Sequence, residues 1–308
     1  MSFGLTALND NNEVIISSEL KNLHFIDKLT TPISSNSTTT GFGGIKIHIY
    51  RVNNCPTIPV PFIHMAVNEE AGVTAVRNID STTWDIEVLT NNHNPDVYVF
   101  ADASAVSATN NHGLIVYNAD GAEAFDSRAR PLAVTNATNI TPPSSPRSPF
   151  SPGGLDAKFC NSNGNSTHSS GWTPNTSNDT SLTLPAKPMF FYFSLGQAEL
   201  EASYFANEEE CDGASVKGNC VGFVRRYSWT STYWAFYRAT ISYPNTSTLR
   251  SQWTTYAYDC HWQYSTNDGA FGIGTGGSSS AGGAWPYSNE TINLSDKICI
   301  VGDASRYD

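Results

Sequence analysis

The sequence predicts an all-β protein: two β-sandwich-like domains joined by a Pro/Ser-rich connector. Three observations carry the prediction. The 308 residues are too many for one small module and suit two β-rich units. Hydrophobic residues make up 39% and aromatics 12%, enough to fill cores, while charged residues reach only 15%; Ser, Thr, Asn and Gly take up the difference, as in strands and turns. Finally, apolar and polar residues alternate with period two in several stretches bounded by turn residues.

Residues 4–16 read as a strand, a polar Asn/Asp turn and a second strand. After a Ser/Thr-rich bridge, Ile45, Ile47 and Ile49 alternate with Lys46, His48 and Tyr50, giving a half-buried strand. The prolines between Cys55 and Pro61 interrupt pairing, because proline offers no ladder donor. Trp84–Val88 and Asp96–Phe100 follow as strands, then a hairpin over 113–125 with Asp120-Gly121 at its turn.

The second hairpin repeats the first. Placing Gly4 on Gly113 aligns Leu5 with Leu114, Asn9 with Asn118, Ser18 with Ser127 and Leu23 with Leu132. Shared turn grammar between two unrelated hairpins is the alternative explanation. A duplicated unit whose copies lie near each other in one sandwich accounts for more of the match. The first domain is placed at 1–140.

Residues 141–183 form an extended Pro/Ser/Asn-rich connector, stiffened at first by its prolines. Its later part cannot bury apolar surface by itself, which favours a place inside an assembly. The second domain, 184–308, is aromatic-rich, and six of the seven tryptophans fall between 172 and 285. Strict alternation over 233–243 and 254–264 predicts two long strands.

The net charge of −11, shared by both halves, makes nucleic acid and anionic membrane poor partners. No apolar run is long enough for a membrane span. The first five residues have neither a basic region nor an apolar one, so no secretory signal is expected.

Little in the sequence nominates chemistry. The six cysteines have no partner Cys or His at zinc-ligand spacing, so no metal is expected. Cys211 and Cys220 flank a short turn-like stretch and are the one candidate disulfide, ordinary thiols being the alternative. Glu208-Glu-Glu210 with Asp212 reads as a solvated acidic loop, with a calcium site from Glu210 and Asp212 as the lesser alternative. Gly272-Ile-Gly-Thr-Gly-Gly277 matches GxGxxG in letters only, because no strand–turn–helix surrounds it; a glycine-rich loop is expected. No GxSxG elbow and no HxxxH pair occurs, so the chain is not expected to be an enzyme and no cofactor is implied. Nine Asn-x-Ser/Thr triplets follow from the composition and are read as incidental. The binding candidates are aromatic. Trp229, Tyr233, Trp234, Tyr237, Trp253, Trp262, Tyr264 and Trp285 form a pool for glycan stacking or interface contact, most of it needed as core.

Phe3-Gly-Leu-x₃-Asn9 and His112-Gly-Leu-Ile-Val-Tyr-Asn-Ala-Asp-Gly121, followed by Phe125-Asp-Ser127, resemble a largely uncharacterised family of tailed-bacteriophage tail proteins. That family carries an aromatic-Gly-Leu-x-Val-x-Asn-x-x-Gly hairpin near its start and another about a hundred residues on. Tyr98-Val-Phe100 and the closing Ile298–Asp303 with Tyr307-Asp308 are also similar. The likeness covers 1–140 well and the remainder in outline; Asn11-Asn12 departs from the usual glycine turn. It implies a virion structural component at the distal tail (tip, fibre or adhesin), assembled in the host cytoplasm. It also implies a homo-oligomer that contacts other tail proteins, with a host surface glycan or protein receptor as a further partner. The family brings no catalytic residues. A stand-alone carbohydrate-binding module, a glycan depolymerase and a capsid decoration protein are the competing expectations.

Overall fold

The computed structural model describes residues 6–8, 14–17, 22–37, 45–91, 93–106, 113–143, 177–192, 196–216, 219–275, 284–285, 290–294 and 297–308. These form the strands β1 (Thr6–Leu8), β2 (Val14–Ser17), β3 (Leu23–Leu29), β4 (Ser34–Ser37), β5 (Ile45–Val52), β6 (Val60–His64), β7 (Glu70–Asn78), β8 (Trp84–Asn91), β9 (Asp96–Asp102), β10 (Ile115–Tyr117), β11 (Glu123–Asp126) and β12 (Val134–Ile140). They continue with β13 (Ser177–Ser181), β14 (Pro188–Phe191), β15 (Gly196–Val216), β16 (Asn219–Asn245), β17 (Thr248–Thr275), β18 (Ala284–Trp285), β19 (Glu290–Leu294) and β20 (Lys297–Asp303). Short 3-10 turns at Ala103–Ala105 and Ala304–Arg306 are the only helical elements among the described residues. The all-β prediction holds.

Two antiparallel sheets make the body. One runs β12-β20-β14-β6-β9-β3; the other runs β13-β17-β16-β7-β8-β5-β4, with β15, β18 and β19 added beyond β16. Between them lies the main core. Ile63, Val97, Val99, Phe190, Cys299 and Val301 come from the first sheet, and Tyr50, Ile86, Val88, Ile241, Leu249 and Trp253 from the second. Strand alternation sends the intervening residues of the six-stranded sheet to its other face, where Phe62, Tyr98, Phe100, Met189 and Tyr307 form a second core. That sheet is therefore apolar on both sides, and β9 reads as the near-continuous hydrophobic run Val97–Ala101.

The expected boundary between 1–140 and 184–308 does not separate the sheets. Phe190 of β14 pairs with Ile63 of β6, and Ile241 and Ser242 of β16 pair with Ala71 and Glu70 of β7. Strands from both stretches complete one another's apolar faces, a long-range matching that composition along the chain does not reveal. The connector also departs from expectation at its end: Ser177–Ser181 is an edge strand on β17, tied by Arg250 to Asp179 at 2.7 Å.

A further difference concerns β5. The face carrying His48, Tyr50 and Val52 is the buried one, while Ile47 and Ile49 are half-buried. Each polar tip inside has its partner. The Tyr50 hydroxyl donates to the Pro95 carbonyl at 2.8 Å, and His48 Nε2 donates to the His93 carbonyl at 2.8 Å. Once such groups are hydrogen-bonded, burying them is cheap enough for the larger ring to take the core position.

The duplicated hairpins are present and share one register. Thr6, Ala7 and Leu8 pair with Ser17, Ile16 and Val14; Ile115, Val116 and Tyr117 pair with Asp126, Phe125 and Glu123. Each pair in the second copy is the first shifted by 109 positions, and the bulge falls at the same step in both. In the second copy Gly121 takes a positive φ of 78°, and Asn118 Oδ1 accepts from the amides of Asp120 and Ala122.

Candidate functional site

Immediately after each hairpin comes an edge strand of the six-stranded sheet, β3 in one case and β12 in the other. The two edges meet at one end. His24 and Pro131 form an antiparallel bridge, the Phe25 amide donates to the Arg130 carbonyl at 2.8 Å, and the Leu132 amide donates to the Leu23 carbonyl at 2.7 Å. The sheet is thereby drawn partly closed, and Tyr307 plugs the closure. Its ring stacks on Phe25 at 5.2 Å and meets Phe100 edge-on at 4.9 Å. Its hydroxyl donates to the Pro131 carbonyl at 2.8 Å and accepts from the Ala133 amide at 2.7 Å. Burial pushes that phenol above its ordinary range.

Outside this plug is an open cleft of about 1020 Å³, with Phe125, Leu132, Tyr307, Arg130, Arg306 and the first residues of β12 among its lining. No acidic residue lines it among the described residues. The Arg130 guanidinium lies 4.4 Å from the centre of the Phe25 ring, a cation–π contact that holds the side chain without neutralising it. Neither arginine forms an ion pair among the described residues. Behind the plug, Asp308 accepts from Lys28 Nζ and from the Tyr98 hydroxyl, each at 2.7 Å, and is also paired with Lys187. Those partners, Lys187 first, hold its carboxyl well below the usual carboxylate range. The arrangement offers a cationic, aromatic-floored groove beside an open strand edge. No His, Cys, Asp or Glu is among its described lining residues.

The aromatic pool lies elsewhere. Trp253 is in the main core, 4% exposed, and so is removed from the stacking candidates. It faces inward because it shares one strand face with the buried Leu249 and Ser251. Trp229, Tyr233, Trp234 and Tyr237 fall on β16, Trp262 and Tyr264 on β17 and Trp285 on β18. The ladder sets Trp229 opposite Tyr264, Ser231 opposite Trp262 and Ser203 opposite Trp285. Except at Ile241 and Ser242, where β7 joins, β16 is laddered only to β15 and β17. The outer nineteen residues of β16, Asn219–Tyr237, form the middle of a ribbon on the order of 60 Å long at ~3.3 Å per residue.

The β15–β16 register places the two candidate disulfide cysteines. Cys211 pairs with Val224 and Cys220 with Ser215, so the two stand four positions apart along the ladder, about 13 Å at ~3.3 Å per residue. A disulfide needs Cα atoms within about 7 Å, and this register sets the two farther apart than that. Cys55 and Cys299 are buried free thiols. Glu208–Glu210 and Asp212 form no loop: they lie on β15, with Glu209 and Glu210 opposite Arg226 and Arg225. Gly272–Thr275 likewise continue β17, opposite Asn219–Gly222 of β16, and residues 276–277 of that motif lie outside the described residues. No group of three or more His, Cys, Asp or Glu suited to a metal occurs among the described residues. No helix among them is long and apolar enough to cross a membrane.

One pairing escaped sequence reasoning. Ser35 and His48 are cross-strand partners, and the Ser35 hydroxyl donates to His48 Nδ1 at 2.7 Å. Because a carbonyl can only accept, the His93 contact fixes the proton on Nε2, and burial lowers the ring's pKa, keeping it neutral. Neither residue lines the cleft, and the pair satisfies a buried ring. The cleft itself had no sequence signal, since Arg130 and Arg306 are brought together only by the closure.

No family model, no curated protein and no solved structure matches this chain.

Proposed function

We propose that this chain is a structural and attachment component of a bacteriophage tail, working by binding and not by catalysis. The observation that carries the reading is the pair of hairpins with one register and one bulge position, 109 residues apart. That duplication is the feature on which the likeness to the tail-protein family rests. Two further features support it. The β15–β17 ribbon carries aromatic residues on long strands that, beyond the β7 junction, ladder to one another and to β18 and β19, as the arm of an attachment protein would. The body also presents a cleft without catalytic groups.

In this reading the body docks to the tail and the ribbon meets the host surface, in several copies per particle. The test is a density map of the whole particle combined with native mass spectrometry of the purified chain. Density for the sandwich at the distal tail and a closed ring of copies in solution are the expected results. A stable monomer that is absent from any tail, yet binds glycans on an array, would replace this reading with a stand-alone carbohydrate-binding module.

A further inference from the structure

The cleft and the strand beside it are incomplete in a way that specifies what completes them. Leaving aside β15, β18 and β19, the two body sheets have four edges among the described residues. β3 carries Asp27 and Lys28, β4 is four residues long, and β13 carries the Asp179–Arg250 ion pair; charge and brevity are the usual protections against unwanted strand pairing. β12 has neither. Its seven residues, Val-Thr-Asn-Ala-Thr-Asn-Ile, bear no charge, and β20 covers only one side. The other side is without a strand among the described residues, and Val134, Thr135 and Ala137 are exposed. This open edge runs along the cleft that holds Arg130 and Arg306, the only ionised side chains among its described lining residues.

We propose that the cleft binds an extended, acidic segment of a partner polypeptide, added as a new strand to the edge of β12 with its carboxylates against Arg130 and Arg306. Sign and magnitude together choose polypeptide over polyanion. Two exposed arginines on a chain of net charge −11 act only within about a Debye length, ~8 Å, and cannot by themselves hold a polysaccharide acid. Main-chain hydrogen bonds from the edge must supply the remainder, and only a polypeptide in extended form returns them in register. Tyr307, locked by its two hydrogen bonds, gives the segment a rigid floor. The inference does not depend on the tail reading, because it uses only the cleft and the edge.

The test uses the full chain and a fluorescently labelled peptide of four Thr-Glu repeats, followed by fluorescence anisotropy and by hydrogen exchange. Saturable binding with new protection over Val134–Ile140 is expected. Methylating alternate peptide amides removes the strand-forming donors and should weaken binding by at least about a hundredfold, at roughly fivefold for each of about three hydrogen bonds lost. Arg130→Gln and Arg306→Gln, both at exposed positions, should each weaken it about fivefold; Arg306→Gln should leave the melting temperature unchanged, and Arg130→Gln should lower it only slightly, through the lost cation–π contact with Phe25. No saturable binding up to millimolar peptide would overturn the proposal. So would equal binding by the methylated peptide, protection elsewhere, or tight binding of a heparin oligosaccharide where the peptide fails.

Discussion

Leu23 and Leu132, equivalent positions in the two copies of the duplicated unit, are hydrogen-bonded to each other: the Leu132 amide donates to the Leu23 carbonyl at 2.7 Å. The repeat thus folds back on itself at matching points and closes the six-stranded sheet there. With the Phe25 amide held by the Arg130 carbonyl, both donors sit over the second core. Hydrogen exchange should find the amides of Phe25 and Leu132 among the slowest in the chain, as slow as those of β9. Fast exchange at both would mean that the edges stand apart in solution.

The Asp308 cluster predicts a pH dependence. Its carboxyl is held low by Lys187, Lys28 and Tyr98, so the folded state binds its proton less readily than the unfolded chain. The associated stability is fully present above the unfolded value, ~3.9, and is lost as pH falls below it toward the lower folded value. Asp308→Asn should flatten the acid limb of the stability curve. At neutral pH, where the carboxylate is substantially exposed, it should cost at most about 1 kcal/mol. Unfolding midpoints in urea between pH 2.5 and 7 would show it.

Glu70 works in the opposite sense. Burial raises its carboxyl, against the opposing hydrogen bond from Thr254 Oγ1 at 2.9 Å. A raised folded value favours the fold most at pH below the unfolded value, ~4.3, with the benefit lost as pH rises through the folded one. Glu70→Gln should therefore raise the melting temperature at pH 7 and leave it nearly unchanged at pH 4. A lower melting temperature at pH 7 would show that the ionised carboxylate is needed there.

Gly72 lies where no side chain fits. A Cβ there would come within 2.6 Å of the Tyr192 hydroxyl, which donates to the Ala71 carbonyl at 2.7 Å from a fully buried ring. Gly72→Ala must displace that ring and break its hydrogen bond, at a cost of about 1–3 kcal/mol. Pairing it with Tyr192→Phe checks the cause: part of the penalty should disappear in the double variant, while strictly additive costs would place the strain elsewhere.

The cysteines make a chemical prediction. Burial pushes the Cys299 thiol up to about 12, leaving almost no thiolate at neutral pH. Iodoacetamide should leave Cys299 unlabelled in the native protein and label it after unfolding. Non-reducing peptide mapping should recover Cys211 and Cys220 as separate thiols, in accord with their register.

Several elements are legible in the sequence. The hairpins at β1–β2 and β10–β11, the strands β5, β8 and β9, and the 233–243 and 254–264 stretches of β16 and β17 follow from alternation and turn residues, which are local properties of the chain. The duplication was readable because like positions keep like residues, and the shared register gives it a physical form. Assignments that depended on a partner strand were not readable. The acids of β15 and the glycines at 272–274 resemble loop composition until a neighbouring strand is known to take up their backbone groups.

By itself the sequence determined the fold class, the hairpins and the absence of zinc-ligand spacing, because period and spacing are carried by neighbouring residues. Tertiary structure alone decided that one sandwich draws strands from both ends of the chain. It also decided that His48 and Tyr50 point inward and Trp253 belongs to the core, and that Arg130 meets Arg306 beside the open edge of β12. Which face of a strand is buried, and which distant residues share a cleft, depend on what packs against them. That choice is made by long-range contacts, whose energies no local pattern records.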